Sequence, residues 1–242
     1  MVLLEACVDT VESAVSAEHG GADRVELCAD LADAGTTPSA GTLRLALERL
    51  TIQVFPIIRP RGGGFVYSET DIAVMRADLK AAAGSGCAGA VVGALNIDGD
   101  VATDVAATLR DAAPGVQLTF HRAFDVCRDP HQALETLIRI GFDRVLTSGQ
   151  AATAWEGRAL IASLVGQANG RITILAGGGI DERHIADLVR ETGVTEVHIR
   201  GTSPRRDPGP EMTIPFRKAL AVDQGERAVT DPARIRALRA LV

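Results

Sequence analysis

Three short apolar runs in this sequence contain or end in side chains that can do chemistry. The side chains are Glu5, Cys7, Glu26, Cys28, His121, Arg122 and Asp125. Carboxylates and imidazoles transfer protons in acid–base catalysis, and guanidinium groups bind oxyanions. Thiolates are ligands for soft metal ions. These residue types therefore indicate either a soft-metal site or a site that handles a small anion.

Eight such apolar runs alternate with helical stretches along the 242 residues. We predict strands at Leu3–Val8, Arg24–Cys28, Ile52–Ile58, Gly89–Gly93, Val116–His121, Arg144–Thr147, Ile172–Ala176 and Glu196–Ile199. Short length and β-branched residues favour strands over helices in these runs. Strict strand–helix alternation predicts an α/β protein, a single TIM-type (β/α)8 barrel, whose functional face lies at the carboxyl ends of the strands.

The chain shows no linker or low-complexity segment, so we predict one domain over residues 1–242. Within it, residues 201–215 are rich in proline and charge and should be irregular, and residues 231–242 should form a C-terminal helix. Ser68–Asp71 and Thr153–Glu156 have the pattern of capping boxes. Asp129 and Asp231 each precede a proline, which is typical of a helix start.

Composition limits the partners of the protein. A net charge of −6 argues against a nucleic-acid partner. No run approaches the roughly 20 apolar residues of a membrane span. The N-terminal MVLLEACVD lacks the basic start of a secretory signal. We therefore expect a cytoplasmic protein without membrane contact, in which the four cysteines form no disulfide framework.

Side chains alternate along a strand, and this predicts which residues face the barrel interior. The predicted inward set is Glu5, Cys7, Glu26, Cys28, Arg59, His121 and His198. Cys7 and Cys28 should lie at equivalent depths on neighbouring strands, with their sulfurs within about 5 Å. Arg59 should pair with Glu5 or Glu26, since a buried carboxylate needs a partner. A single inward ion pair can be purely structural, but this many polar groups at strand ends favour a functional site.

Loops that follow the strands add candidate anion-binding groups. Gly177, Gly178 and Gly179 follow strand seven, where barrels of this kind often bind phosphate through backbone N–H groups. Arg59 and Arg61 follow strand three and provide two guanidinium groups for an oxyanion. Two alternatives remain open, because glycines also serve tight turns and Arg61 can be a solvated loop charge.

Several long segments resemble the CutC family, named for copper homeostasis. They are LEACVD, GGADRVELCADLADAGTTPS, IIRPRGGGFVYS, TFHRAFD, RVLTSGQ and AGGGI, and they run from about Leu3 to Ser203. The resemblance implies a single β/α barrel in the cytoplasm that self-associates as a homodimer or larger homo-oligomer. It also implies Cu(I) binding by the two family cysteines, which fall on Cys7 and Cys28 here.

Two main functions follow. The first is a CutC-type protein that binds Cu(I) through Cys7 and Cys28. The second is an enzyme acting on a small phosphorylated or carboxylated metabolite. Its proton-transfer residues would be Glu5, Glu26, His121, Asp125 and His198, and its anion-binding groups Arg59, Arg61, Arg122, Gly177, Gly178 and Gly179. A third alternative is a regulatory barrel that binds a ligand without turnover.

Overall fold

The structure is a computed structural model that describes residues 2–206, 208 and 226–242. Its helices are α1 (Val11–Gly20), α2 (Ala40–Arg49), α3 (Glu69–Gly84), α4 (Thr103–Ala112), α5 (Pro130–Ile140), α6 (Arg158–Ala168), α7 (Ile185–Thr192) and α8 (Pro232–Arg239). Its strands are β1 (Leu3–Val8), β2 (Arg24–Leu27), β3 (Gln53–Pro56), β4 (Gly89–Val92), β5 (Gln117–Phe120), β6 (Arg144–Thr147), β7 (Thr173–Gly177), β8 (Glu196–Ile199), β9 (Thr202–Arg206) and β10 (Glu226–Thr230).

The first eight strands form a parallel sheet in the order β3-β2-β1-β8-β7-β6-β5-β4. The two ends of this sheet meet where Ile57, just beyond β3, pairs with Val91 of β4. The Ile58 N–H also donates to the Val91 carbonyl at 2.8 Å. The predicted TIM-type barrel is confirmed, and each of the eight predicted strands contains or nearly matches an observed one.

The helix starts agree with the capping patterns in most places. Ser68 and Asp71 form a complete capping box at α3, and Asp129 and Asp231 cap α5 and α8. The Thr153–Glu156 pair makes both capping-box hydrogen bonds, at 3.1 and 3.2 Å. However, α6 begins only at Arg158, so this box closes a turn that precedes the helix.

The region after β8 differs from the prediction. Thr202–Arg206 is a strand, β9, which pairs antiparallel with β10. The prediction of irregular structure over 201–215 was therefore wrong for residues 202–206, because residues 20 to 28 positions later in the chain pair with them. Residues 207 and 209–215 lie outside the described residues. The C-terminal helix is confirmed but shorter than predicted, while the predicted self-association stays a prediction.

The apolar core lies between the barrel and its helices. Leu4, Val25, Leu118 and Val197 point outward from their strands and are completely buried there. No helix in the described part of the chain is long and apolar enough to cross a membrane. The outward face of the strands thus packs against the helices. The polar strand residues therefore face the interior of the barrel.

Candidate functional site

The lower interior of the barrel holds a network of buried charges. Arg24 donates through Nε to Glu5 and through Nη2 to Glu196 at 2.6 Å. Arg144 donates through Nε to the same Glu196 carboxylate at 2.6 Å. Arg24 is 1% exposed and packs over the Phe55 ring, 4.8 Å from its centroid. These charges satisfy one another and form a floor beneath the mouth of the barrel.

Glu5 connects this floor to a histidine above it. His198 Nδ1 lies 2.7 Å from Glu5 Oε1, which orients the ring and leaves Nε2 towards the cavity. Burial alone would raise the pKa of Glu5, but the charge of Arg24 and the hydrogen bond from His198 lower it to about 2. Glu5 is therefore a permanent carboxylate that positions His198, and it does not line the cavity itself.

Three side chains above the floor form a cluster suited to a metal ion. One ligand atom from each of Cys7, Glu26 and His198 lies within 4.8 Å of the others. His198 Nε2 is 3.7 Å from Glu26 Oε2. Thiolate, carboxylate and imidazole are all metal ligands, and a carboxylate behind the imidazole is the usual support for such a ligand. The cluster therefore has the donor set and the outer support that a metal site needs.

The two predicted cysteines are close together. Their Sγ atoms are 3.9 Å apart, which confirms the prediction of about 5 Å or less. Their expected equal depth was wrong, because the β1–β2 register places Cys7 beside Glu26 and Cys28 one pleat further on. Cys28 is 1% exposed and packs with Phe55 and Ile57, while Cys7 reaches the cavity.

The hydrogen bonds and charges in this cluster give its groups different proton affinities. The hydrogen bond from Cys28 lowers the pKa of Cys7 well below its usual value. The same hydrogen bond needs the Cys28 proton, so this bond and the burial of Cys28 both raise the pKa of Cys28. Burial and the nearby Cys7 charge raise the pKa of Glu26. Burial opposes the charged form of His198, but its bonds to Cys7 and Glu5 raise its pKa. The cluster therefore favours a Cys7 thiolate, a His198 imidazolium and a protonated Glu26.

A cavity of about 700 Å³ opens above the cluster at the carboxyl ends of the strands. Among the predicted site residues, it is lined by Cys7, Glu26, Arg59, His121, Arg122, Asp125, Gly178, Gly179 and His198. Arg200 and Arg234 add two further cations to its lining. A volume of this size falls within the roughly 300–1,000 Å³ of small-molecule pockets. The structure thus brings most of the predicted residues around one cavity.

Arg59 does not pair with Glu5 or Glu26, so that prediction was wrong. Its Nη1 donates to the carbonyls of Asp33 at 2.6 Å and Gly35 at 2.8 Å. Arg59 follows the end of β3 and lies nearer the mouth, whereas Arg24 stands directly beside Glu5 in the β1–β2 register. The carboxylates of the floor are therefore neutralised by Arg24.

Asp125 is a structural carboxylate, although it lines the cavity. It accepts hydrogen bonds from Arg122 Nε at 2.6 Å, Thr147 Oγ1 at 2.5 Å and the Ser148 N–H at 2.9 Å. These hydrogen bonds use the oxygens of the carboxylate to hold the loop after β6 in place. The Arg122 side chain lines the cavity and is 44% exposed, while its Nη2 donates to Ser148 Oγ at 2.8 Å.

Two predicted anion-binding residues lie outside the cavity lining. Arg61 pairs with Asp71 at 3.1 Å and donates to the Val66 carbonyl at 2.9 Å, so it braces its own loop. Gly177 ends β7, and a side chain there would collide with Leu146 and approach His198. Its role is to make room for the His198 ring, while Gly178 and Gly179 reach the cavity.

Sequence reasoning missed Arg24 and Arg144, the two cations of the floor. Both stand at the first position of a strand whose start was predicted correctly, but neither was included in the predicted inward set. A usable signal was present, because Arg24 lies two residues before Glu26 and must share its inward face. Phe65, which lines the cavity from the loop after β3, had no such signal.

Comparison with known proteins agrees with this geometry. The sequence model of the CutC family matches residues 2–203. The chain is 45% identical over 242 residues to the copper homeostasis protein cutC homolog of Homo sapiens, covering 99% of this chain and 88% of that protein. It is 43% identical to a CutC family protein of Pasteurella multocida, covering 99% and 98% of the two chains.

A solved structure gives the same result. The crystal structure of CutC from Streptococcus agalactiae superposes with a TM-score of 0.79 at 34% identity, covering 82% of this chain and 98% of that one. A barrel described as the aldolase QR15 is 17% identical with a TM-score of 0.62 and shares the fold alone. Family match, identity over nearly the whole chain and superposition agree, and the chain belongs to the CutC family.

Proposed function

We propose that this protein serves copper homeostasis by binding Cu(I) between Cys7 and Cys28 at the mouth of the barrel. The observation that carries the proposal is the 3.9 Å separation of the two sulfurs. Cu(I) is soft and prefers thiolates, and two sulfurs at this spacing can share one ion after a small side-chain adjustment. The CutC family to which the chain belongs is named for this role.

His198 would be the third ligand once Cu(I) displaces its Nε2 proton, because metal binding at an imidazole releases a proton. Its Nε2 faces Cys7, and the Glu5 carboxylate at Nδ1 holds the ring as outer carboxylates hold metal-binding imidazoles. Glu26 is a hard oxygen donor whose pKa is raised by burial and by Cys7, so it contributes little to a soft ion. The proposed set for Cu(I) is thus Cys7, Cys28 and His198.

All four cysteines are free and buried, and a reducing cytoplasm would keep the two ligand thiols available. Cys7 lines the cavity while Cys28 lies behind it, so an arriving ion would meet Cys7 first. The cytoplasmic location is part of this proposal.

Competition titration with a Cu(I) chelator tests the proposal. Cys7→Ser combined with Cys28→Ser should weaken Cu(I) binding by at least about 100-fold, since losing outer support alone costs 10–100-fold. Cys87→Ser is the matched control, because Cys87 is a buried free thiol that bonds to the Ala82 carbonyl away from the cavity. A wild type that holds Cu(I) no better than the double variant overturns the copper function.

A second candidate function is an enzyme that acts on a small anionic metabolite. It is favoured by the cavity, which is far larger than one ion and has Glu26 and His198 adjacent in its wall. A protonated Glu26 carboxyl beside the His198 imidazolium could donate protons to a bound molecule. A thermal-shift screen of phosphorylated and carboxylated metabolites, followed by turnover assays with Glu26→Gln, tests this function. Binding without turnover would indicate the regulatory alternative.

A further inference from the structure

Among the described residues, three buried side-chain atoms have no hydrogen-bond partner: Arg59 Nε, His121 Nε2 and the Tyr67 hydroxyl. Two of these, on Arg59 and His121, are N–H donors. Both residues line the cavity, and each is only 4% exposed. Leaving a buried donor unpaired costs about 1–3 kcal/mol, so such atoms in a native protein call for a ligand or an ordered solvent molecule.

The structure holds both donors in place through their other atoms. The two Nη atoms of Arg59 donate to three carbonyls, those of Asp33, Gly35 and Gly63. With these three bonds made, Nε–H and one hydrogen of Nη2 remain to take a partner. The guanidinium is therefore oriented before any ligand arrives.

His121 is fixed equally well. Its Nδ1 accepts a hydrogen bond from the Ala123 N–H at 3.1 Å, which places the ring proton on Nε2. The ring fills the space beside Gly93, where a side chain would lie 2.4 Å from Cε1. Burial and the charge of Arg59 lower the pKa of His121 to about 3. His121 is thus a neutral donor that cannot act as a base through Nε2 at ordinary pH.

Phe65 lies against both donor side chains. Its ring centroid is 5.1 Å from that of His121, and the Arg59 guanidinium lies 5.3 Å from the same ring. An apolar ring beside the two N–H groups lowers the local dielectric, which strengthens a hydrogen bond made there. The three side chains together line one corner of the cavity.

We propose that Arg59 Nε and His121 Nε2 form a subsite for the carboxylate group of a small molecule in the cavity. The inference deepens the second candidate function, on which it rests, and is independent of Cu(I) binding at Cys7 and Cys28. One cationic and one neutral donor match the single charge and two oxygens of a carboxylate. A phosphate dianion would bring a second charge to Arg59, whose guanidinium already donates to three carbonyls.

The rest of the cavity wall suggests what the remaining atoms of such a molecule meet. Cys7, Glu26 and His198 face the same cavity from the neighbouring strands β1, β2 and β8, whereas Arg59 and His121 follow β3 and β5. A carboxylate held at Arg59 and His121 would leave its remaining atoms in the cavity that the proton donors Glu26 and His198 also line. The ligand class is therefore a small carboxylic acid with a polar group at its other end.

The test measures binding of pyruvate, succinate, citrate and inorganic phosphate by calorimetry and thermal shift. In His121→Asn, the amide oxygen can still accept from the Ala123 N–H, but no donor stands at the Nε2 position. We expect at least one carboxylate to bind the wild type and to lose about tenfold in affinity in His121→Asn, as for a lost hydrogen bond to a charged group. His121→Gln, whose amide reaches towards Nε2, should regain part of the loss.

The control is His131→Asn, an exposed histidine on α5 that should leave binding unchanged. Cu(I) affinity should be the same in His121→Asn and the wild type, which excludes a general loss of structure. Equal carboxylate binding by wild type and His121→Asn overturns the subsite while the second candidate function stands. Failure of every probe to bind the wild type overturns both. Phosphate binding that is tighter than carboxylate binding and depends on His121 overturns the carboxylate assignment.

Discussion

The floor and the mouth of this barrel are built from the same kinds of residues but differ in how their hydrogen bonds are satisfied. In the floor, Glu5, Arg24, Arg144 and Glu196 bind one another. At the mouth, Arg59 and His121 each keep one N–H without a partner. Buried charge alone therefore does not identify a site in this protein. An oriented polar atom that lacks a partner, next to a cavity, is the more informative sign.

The largest effect should come from breaking the floor. Arg24→Met leaves the Glu5 and Glu196 carboxylates buried with less compensation, and we expect a loss of about 3–5 kcal/mol in the free energy of unfolding. Urea denaturation measures it. Arg44→Met is the control, since Arg44 makes an exposed pair with Glu48 that should contribute at most about 1 kcal/mol. Equal stability of the two variants would contradict the structural role of the floor.

A smaller effect on stability should come from the protonation of His121, at the mouth of the barrel. The folded state keeps His121 neutral, with its pKa lowered from 6.5 to about 3, whereas the unfolded chain takes up a proton below about pH 6.5. Falling pH therefore favours the unfolded state, and His121 should remove about 2 kcal/mol of stability between pH 7 and pH 5. His121→Asn should lose less stability over this range. Parallel stability curves for the two proteins would show that His121 titrates normally.

The smallest effect should come from Arg61, which lies outside the cavity. Its pair with Asp71 is partly exposed, so Arg61→Met should change the free energy of unfolding by less than about 1 kcal/mol. Carboxylate affinity should stay within the error of calorimetry, in contrast to the loss in His121→Asn. A tenfold weaker affinity in Arg61→Met would mean that the loop after β3 extends the subsite further than the cavity lining indicates.

The sequence was sufficient to predict the barrel fold and which polar side chains face its interior. Period-two alternation assigns each strand residue to one face, and apolar residues such as Leu4 and Val25 take the outer face because helices cover it. The prediction that Cys7, Glu26, His121 and His198 would meet inside the barrel follows from this local rule. Capping residues marked several helix starts for the same reason, since their hydrogen bonds are made within four residues.

Tertiary structure alone decided which of these residues are partners. The β1–β2 register places Arg24 beside Glu5, so Arg24 takes the role that alternation had left to Arg59. The loop after β6 brings the Ser148 N–H to Asp125, so this carboxylate holds the loop in place. Closure of the barrel leaves His121 and Arg59 each with one N–H unpaired. Register and closure depend on contacts between residues far apart in the chain, which no local pattern records.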